Sequence, residues 1–372
     1  MTKIQTIDAH TAGEPLRLIV SGFPAVKGKT ILEQREYVRK NHDHLRRALM
    51  LEPRGHADMY GALLTLPEHE GSHAGVLFMH NEGFSTMCGH GVIAVTTIAV
   101  ERNLIVVPRE ADGSVRITLD SPAGPIHAVA KTAGVVQAFR PAVGVVQPFR
   151  AAAGVVQPFR AADSRVTSVS FRNVPSFVLH PSVALRVGNR EVRADVAFGG
   201  AFYAIVDSEA VGIPIVRERL PDLRRLGMEI KHAVEKLVRV EHPTEPQLQG
   251  IYGTIFTGQP SDDTADLRNV TIFADAEVDR SPCGTGTCAV MAVLSAMGLL
   301  GRDQTFTHES IIGTKFRGRI VGETSLSTPN SQFLTPNLIP AIIPEIEGEA
   351  FVTGEHTFLI DDEDPLKYGF RL

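Results

Sequence analysis

The chain carries one device twice. Met87-Cys88-Gly89-His90-Gly91 and Pro282-Cys283-Gly284-Thr285-Gly286 each place Cys-Gly-x-Gly ahead of a mostly apolar stretch of helical length, Val92–Val100 and Thr287–Leu300. Aligned on the cysteines, the two segments also share an Ala (Ala94, Ala289), a Val (Val95, Val290) and a Leu (Leu104, Leu299). A chain that repeats a cysteine at the mouth of a buried helix is constrained to two similar halves. The first turn of a helix has unpaired N–H groups and the positive end of the dipole, both of which favour a thiolate. Glycines let backbone N–H groups approach a small anion such as a carboxylate. Two such termini suit chemistry that needs an acid–base group on each side of one atom. The plainer alternative is that Cys88 and Cys283 are ordinary buried thiols.

Composition narrows the class. With 372 residues, 43% hydrophobic and 21% charged, the chain is long enough for two domains with their own cores. A net charge of −5 gives no general reason to expect nucleic-acid binding, and no apolar run reaches the length of a membrane span. Three cysteines are too few for a disulfide framework, which points to a reducing cytoplasm.

Alternation predicts strands at the N-terminus (Met1–His10) and at Leu16–Val20, Ala62–Leu66, Gly75–His80 and Arg116–Leu119. It predicts further strands at Thr167–Phe171, Val196–Phe198, Phe202–Val206, Asn269–Phe273, Ile311–Ile320 and Phe351–Ile360. Helical periodicity covers Gln34–Leu49 and Leu220–Val238. The segment Gly134–Arg140, Gly144–Arg150 and Gly154–Arg160 repeats Gly-Val-Val-Gln-(Ala/Pro)-Phe-Arg with a period of ten. Three short proline-bearing units are too small for a solenoid and read as an expanded loop, an insertion over about 131–164. The expected organisation is an N-terminal domain over 1–190, a C-terminal domain over 191–350, and a strand and tail over 351–372 that returns to the first.

These motifs, together with His10-Thr11-Ala12-Gly13-Glu14-Pro15, Glu52-Pro53-Arg54-Gly55-His56, Asn81-Glu82-Gly83, Phe198-Gly199-Gly200 and Asp279-Arg280-Ser281, resemble the proline racemase family. That family includes proline racemases, 4-hydroxyproline 2-epimerases and trans-3-hydroxy-L-proline dehydratases. The resemblance implies an α/β (α+β) fold like that of diaminopimelate epimerase: two pseudo-symmetric domains, each a curved sheet or barrel around a central helix, with the active site in the cleft between them. It implies no pyridoxal phosphate, no metal and no other cofactor. Cys88 and Cys283 match the two catalytic bases. Gly89, His90, Gly284 and Thr285 match the cradle for the substrate carboxylate, Asp279 the carboxylate that meets the ring nitrogen, and Tyr60 and Phe273 the aromatic walls. Each also has a simpler role: His90 as a helix cap, Asp279 in a turn or paired with Arg280, the aromatics as core. Cys288, His10, Arg54, His56 and Asp58 read as core or as loop support. A homodimer is compatible with the resemblance.

Cysteine at both positions favours a racemase or epimerase of proline or 4-hydroxyproline, because dehydratases of this family typically have threonine at the second. Asp58–Ala62, Gly200–Ala204 and Asp364–Phe370 look more like the dehydratase branch, which leaves dehydration of trans-3-hydroxy-L-proline as the alternative. A non-catalytic binder of proline-like amino acids would fit a lost thiol, and neither is lost. A disulfide between Cys88 and Cys283 would need the sulfurs closer than a bound substrate allows.

Overall fold

The structure, a computed structural model, describes residues 1–133, 165–327 and 338–371; the period-ten repeats of 134–160 lie outside the described residues. The chain runs β1 (Thr2–Thr11), β2 (Glu14–Ser21), α1 (Ile31–Asn41), α2 (Asp43–Met50), β3 (Tyr60–Thr65), β4 (Ala74–His80), β5 (Phe84–Ser85), α3 (Gly89–Glu101), β6 (Val115–Ser121), β7 (Gly124–Ala133) and β8 (Arg165–Arg172). It continues β9 (Phe177–Val187), β10 (Arg190–Phe198), β11 (Phe202–Asp207), α4 (Ser208–Val211), α5 (Leu220–Leu237), β12 (Ile251–Gly258), β13 (Leu267–Phe273), β14 (Glu277–Asp279) and α6 (Gly284–Ala296). The last elements are β15 (Phe306–Glu309), β16 (Lys315–Ser327), β17 (Leu338–Gly348) and β18 (Ala350–Ile360).

Two compact units result, one of Met1–Phe171 with Gly348–Leu372, the other of Arg172–Glu347. The sequence places the change at 190–191, where β10 begins; Arg190 pairs with Val187 across the turn at Gly188, and β9 and β10 both fall in the second unit.

Each unit repeats the other's pairing scheme. In the first, β1 runs antiparallel to both β18 and β2, β2 parallel to β3, and β3 antiparallel to β4. There β4 also pairs antiparallel with β5 and parallel with β6, which is antiparallel to β7. In the second, β10 runs antiparallel to both β9 and β11, β11 parallel to β12, and β12 antiparallel to β13. There β13 pairs antiparallel with β14 and parallel with β15, which is antiparallel to β16. The helix after the short β5 or β14 is the Cys-Gly-x-Gly helix in both.

Those two helices are apolar all round, as a helix enclosed by strands must be. Every residue of α3 from Gly89 to Val100 is buried, as is every residue of α6 from Gly284 to Val293. The other helices cover the outside. One face of α5 (Leu223, Leu226, Ile230, Val234) sits in the core with Phe256 and Ile272. Each such side chain contributes about 1.5–3 kcal/mol when fully buried. Gly227 is required there, since a Cβ would come within 2.8 Å of Ile272.

Two elements differ from the periodicity. The helix expected over Gln34–Leu49 is two helices, broken at His42 (φ −135°, ψ 16°), and the first starts earlier because Thr30 and Glu33 form a reciprocal capping box. The strand expected from Ile311 begins at Lys315, because Ser310–Thr314 close a turn with Gly313 at φ 85°. Among the described residues, no helix is long and apolar enough to cross a membrane.

Candidate active site

The expected site residues fall in two groups, one around the start of α3 in the first unit and one around the start of α6 in the second. Cys88 is the N-cap of α3 in extended conformation, and its sulfur accepts the Gly91 N–H at 3.2 Å. The Cys88 sulfur also lies 3.3 Å from Nδ1 and 3.4 Å from Nε2 of His90. Gly89 and His90 form the first turn. The His90 carbonyl accepts the Thr11 hydroxyl at 2.9 Å, which ties that turn to β1. Tyr60 packs edge-on to His90 with centroids 4.7 Å apart, and its hydroxyl meets Ser85 Oγ at 2.5 Å.

Cys283 precedes α6 in a left-handed conformation (φ 62°). A short relay of hydrogen bonds holds it there. Asp279 Oδ1 accepts the Ser281 N–H at 2.8 Å and the Ser281 hydroxyl at 2.6 Å, and Ser281 Oγ accepts the Cys283 N–H at 3.1 Å. Asp279 thus closes a turn in this structure. Behind the loop, the Pro282 carbonyl accepts from Asn269 Nδ2 at 3.0 Å and from the Thr287 hydroxyl at 3.0 Å. His308 completes that buried cluster, 2.9 Å from Thr287 Oγ1. Phe273 stacks on Tyr252 with centroids 5.4 Å apart.

The second glycine of each motif is now explained. A Cβ on Gly91 would lie 2.9 Å from the Cys88 sulfur, and one on Gly286 2.8 Å from the Cys283 sulfur. Only glycine lets each sulfur rest against its own helix's first turn.

Electrostatics correct one expectation. A helix start lowers a thiol's pKa, yet at Cys283 burial dominates: desolvation first, then the adjacent Asp279, push this thiol well above its ordinary value, against the Tyr203 hydroxyl and the Gly286 N–H. Burial also raises Asp279, to about 6, against its hydrogen bonds from Ser281. Desolvation holds His308 down at about 3, so this imidazole is neutral.

Tyr203 was missed as a site residue by sequence reasoning. It is fully buried, with its hydroxyl 2.6 Å from Thr285 Oγ1 and 3.7 Å from the Cys283 sulfur. Cys288 is buried in α6, as a core residue should be. Arg54 binds the Leu359 and Lys367 carbonyls and Asp364, which fastens its loop to the C-terminal segment. His10 accepts the Gly13 N–H at 3.3 Å and stacks on Phe351.

Known proteins are similar to this chain over nearly its whole length. The family described as proline racemase matches residues 6–156 and 132–371. A trans-3-hydroxy-L-proline dehydratase of Bacillus thuringiensis subsp. konkukian is 44% identical over 367 residues, 99% of this chain and 97% of the relative. A 3-hydroxyproline 2-epimerase of Burkholderia multivorans is 39% identical over 368 residues, 99% of this chain and 97% of the relative. Among solved structures, a hydroxyproline epimerase from Agrobacterium vitis with bound trans-4-hydroxy-L-proline superposes with a TM-score of 0.81 at 27% identity, covering 100% of this chain and 97% of that one. By sequence and by fold, the chain belongs to the proline racemase family.

Proposed function

We propose that the protein inverts the α-carbon of proline or 4-hydroxyproline without a cofactor, using Cys88 and Cys283 as its two acid–base groups. The observation that carries this is the presence of a sulfur at both helix starts, each spared by a glycine from contact with a Cβ. One thiolate takes the α-hydrogen as a proton, and the electron pair it leaves is delocalised into the carboxylate. The other thiol then gives its proton to the opposite face, so the substrate leaves inverted and the two sulfurs have exchanged roles. The raised pKa of Cys283 suits it to be the thiol in the resting enzyme, with Cys88 as the base. First-turn N–H groups at Gly89, His90, Gly284 and Thr285 hold the carboxylate, and the charge that develops on it is stabilised there. Asp279 receives the ring nitrogen, with His90 assisting, and Tyr60 and Phe273 pack on the ring. Three free cysteines fit a reducing cytoplasm, and a homodimer is the assembly we expect.

A second reading is dehydration of trans-3-hydroxy-L-proline, favoured by the relative of that name at 44% identity. It needs one base for the α-hydrogen and then loss of the 3-hydroxyl. Proton NMR in D₂O separates the two. With L-proline or trans-4-hydroxy-L-proline, the first reading expects loss of the α-proton signal with appearance of the epimer. Turnover of trans-3-hydroxy-L-proline alone, to a dehydrated cyclic imine, would overturn it. Cys283→Ser should nearly abolish inversion, while α-hydrogen exchange survives from the one enantiomer whose α-hydrogen Cys88 removes. Equal loss of exchange from both enantiomers would contradict separate, face-specific roles.

A further inference from the structure

We propose that the Tyr203 hydroxyl is a positioning donor for Cys283, turning to the sulfur when it is a thiolate and to Thr285 when it is a thiol. The phenol sits between two acceptors, Thr285 Oγ1 at 2.6 Å and Cys283 Sγ at 3.7 Å, and carries one proton to share between them. The Thr285 hydroxyl has a proton of its own. With Cys283 protonated, Tyr203 donates to Thr285. When the sulfur is charged, the phenol proton swings to it and Thr285 donates back to the phenol oxygen. Two hydroxyl rotations suffice and no heavy atom moves.

The need for such a donor follows from what surrounds the sulfur. Asp279 on β14 opposes a negative charge there, and Arg280 beside Asp279 tempers that carboxylate. Thr271 on β13 faces the sulfur, Cys288 lies further along α6, and Tyr252 on β12 packs edge-on against Tyr203 with centroids 5.9 Å apart. Among the described residues, the Gly286 N–H from α6, the Tyr203 hydroxyl from β11 and the Thr271 hydroxyl from β13 are donors that favour the charged sulfur. Tyr203 itself keeps its proton, because burial raises its pKa well above the ordinary phenol value.

The inference rests on Cys283 being a proton-transfer group, but its first test needs no substrate. The pH profile of iodoacetamide alkylation at Cys283, read by peptide mass spectrometry, should move to higher pH in Tyr203→Phe while the profile at Cys88 stays in place. Thr285→Ala removes one hydrogen bond of the phenol in each state, so it should move the Cys283 profile less than Tyr203→Phe does. A shift to higher pH in Tyr203→Phe that exceeds the shift in Thr285→Ala supports the pairing; no shift in Tyr203→Phe, or a shift to lower pH, overturns it. On the enzyme, Tyr203→Phe should slow exchange in the direction where Cys283 is the base by roughly tenfold to a hundredfold, the range for a hydrogen bond to a charged group. Equal slowing in both directions would reduce Tyr203 to a packing residue. Absence of any exchange in wild type, with the alkylation shifts intact, would instead reject the proposed reaction.

Discussion

A methyl group at Gly91 or Gly286 would have to displace a sulfur, and at Gly91 it would also meet Phe78 at 2.6 Å. Gly91→Ala and Gly286→Ala should each lower kcat by about a hundredfold, the typical cost of misplacing a reacting atom by about 1 Å. Thermal denaturation should show a loss of only about 1–3 kcal/mol, the usual cost of overpacking. Folded variants of near-normal activity would refute the account of the spacing. Asp279 gives a pH signature. Its pKa is about 6 in the fold against an ordinary 3.8, so the folded state binds the extra proton and stability falls as pH rises from about 4 through 6. The difference amounts to about 3 kcal/mol. Asp279→Asn should therefore gain stability over wild type at pH 8 and not at pH 4, as read by urea titration at both; a pH-independent difference would reject the assignment. The cysteines and glycines were legible because their spacing is rigid and duplicated. Tyr203 was not, because every residue of β11 from Phe202 to Val206 is buried and alternation there marks no special face.

At the scale of elements, α3 and α6 were visible as all-apolar segments behind a cysteine, and α5 as an amphipathic stripe. Strands that break the alternation rule were invisible. Most of β9 is exposed or half-buried and it contains Pro181. In β17, Pro340 and Pro344 argue against a strand, yet it pairs with β16 from Leu338 to Glu347 with one register shift. Gly253 interrupts β12, where a Cβ would lie 2.5 Å from the Ile272 carbonyl oxygen. The loop entering α6 depends on β13 and β15 through Asn269 and His308. Because His308 titrates at about 3 when folded and ordinarily at 6.5, the folded state refuses the proton. Stability is intact above pH 6.5 and is lost as pH falls towards 3, by up to roughly 5 kcal/mol. His308→Gln should flatten that acid limb in denaturation midpoints measured from pH 7 to 4; an unchanged slope would remove His308 from the explanation.

For the whole molecule, the duplicated motif foretold two similar halves, and the strand pairings repeat to the level of which neighbours run parallel. The limits of the halves were harder to read, since Gly188, in the turn between β9 and β10, resembles a linker in sequence yet serves as a hairpin turn at φ 57°. The second unit is one continuous stretch with its own core, so residues 172–347 expressed alone should unfold cooperatively in urea by far-UV circular dichroism. Residues 1–171 alone should not, because β1 would lack β18 along Thr2–Thr11. A cooperative transition in the shorter fragment would show that β18 is dispensable. The same interruption sets an order of events during synthesis. The first unit cannot close until the strand beginning at Ala350 leaves the ribosome, and 176 residues (172 to 347) must be made in between. At roughly 5–20 residues per second that is a wait of about 10–35 s. Throughout it the edge of β1 that β18 will cover is open to any other nascent strand, so crowded polysomes and scarce chaperones should cost this protein yield before they cost it activity.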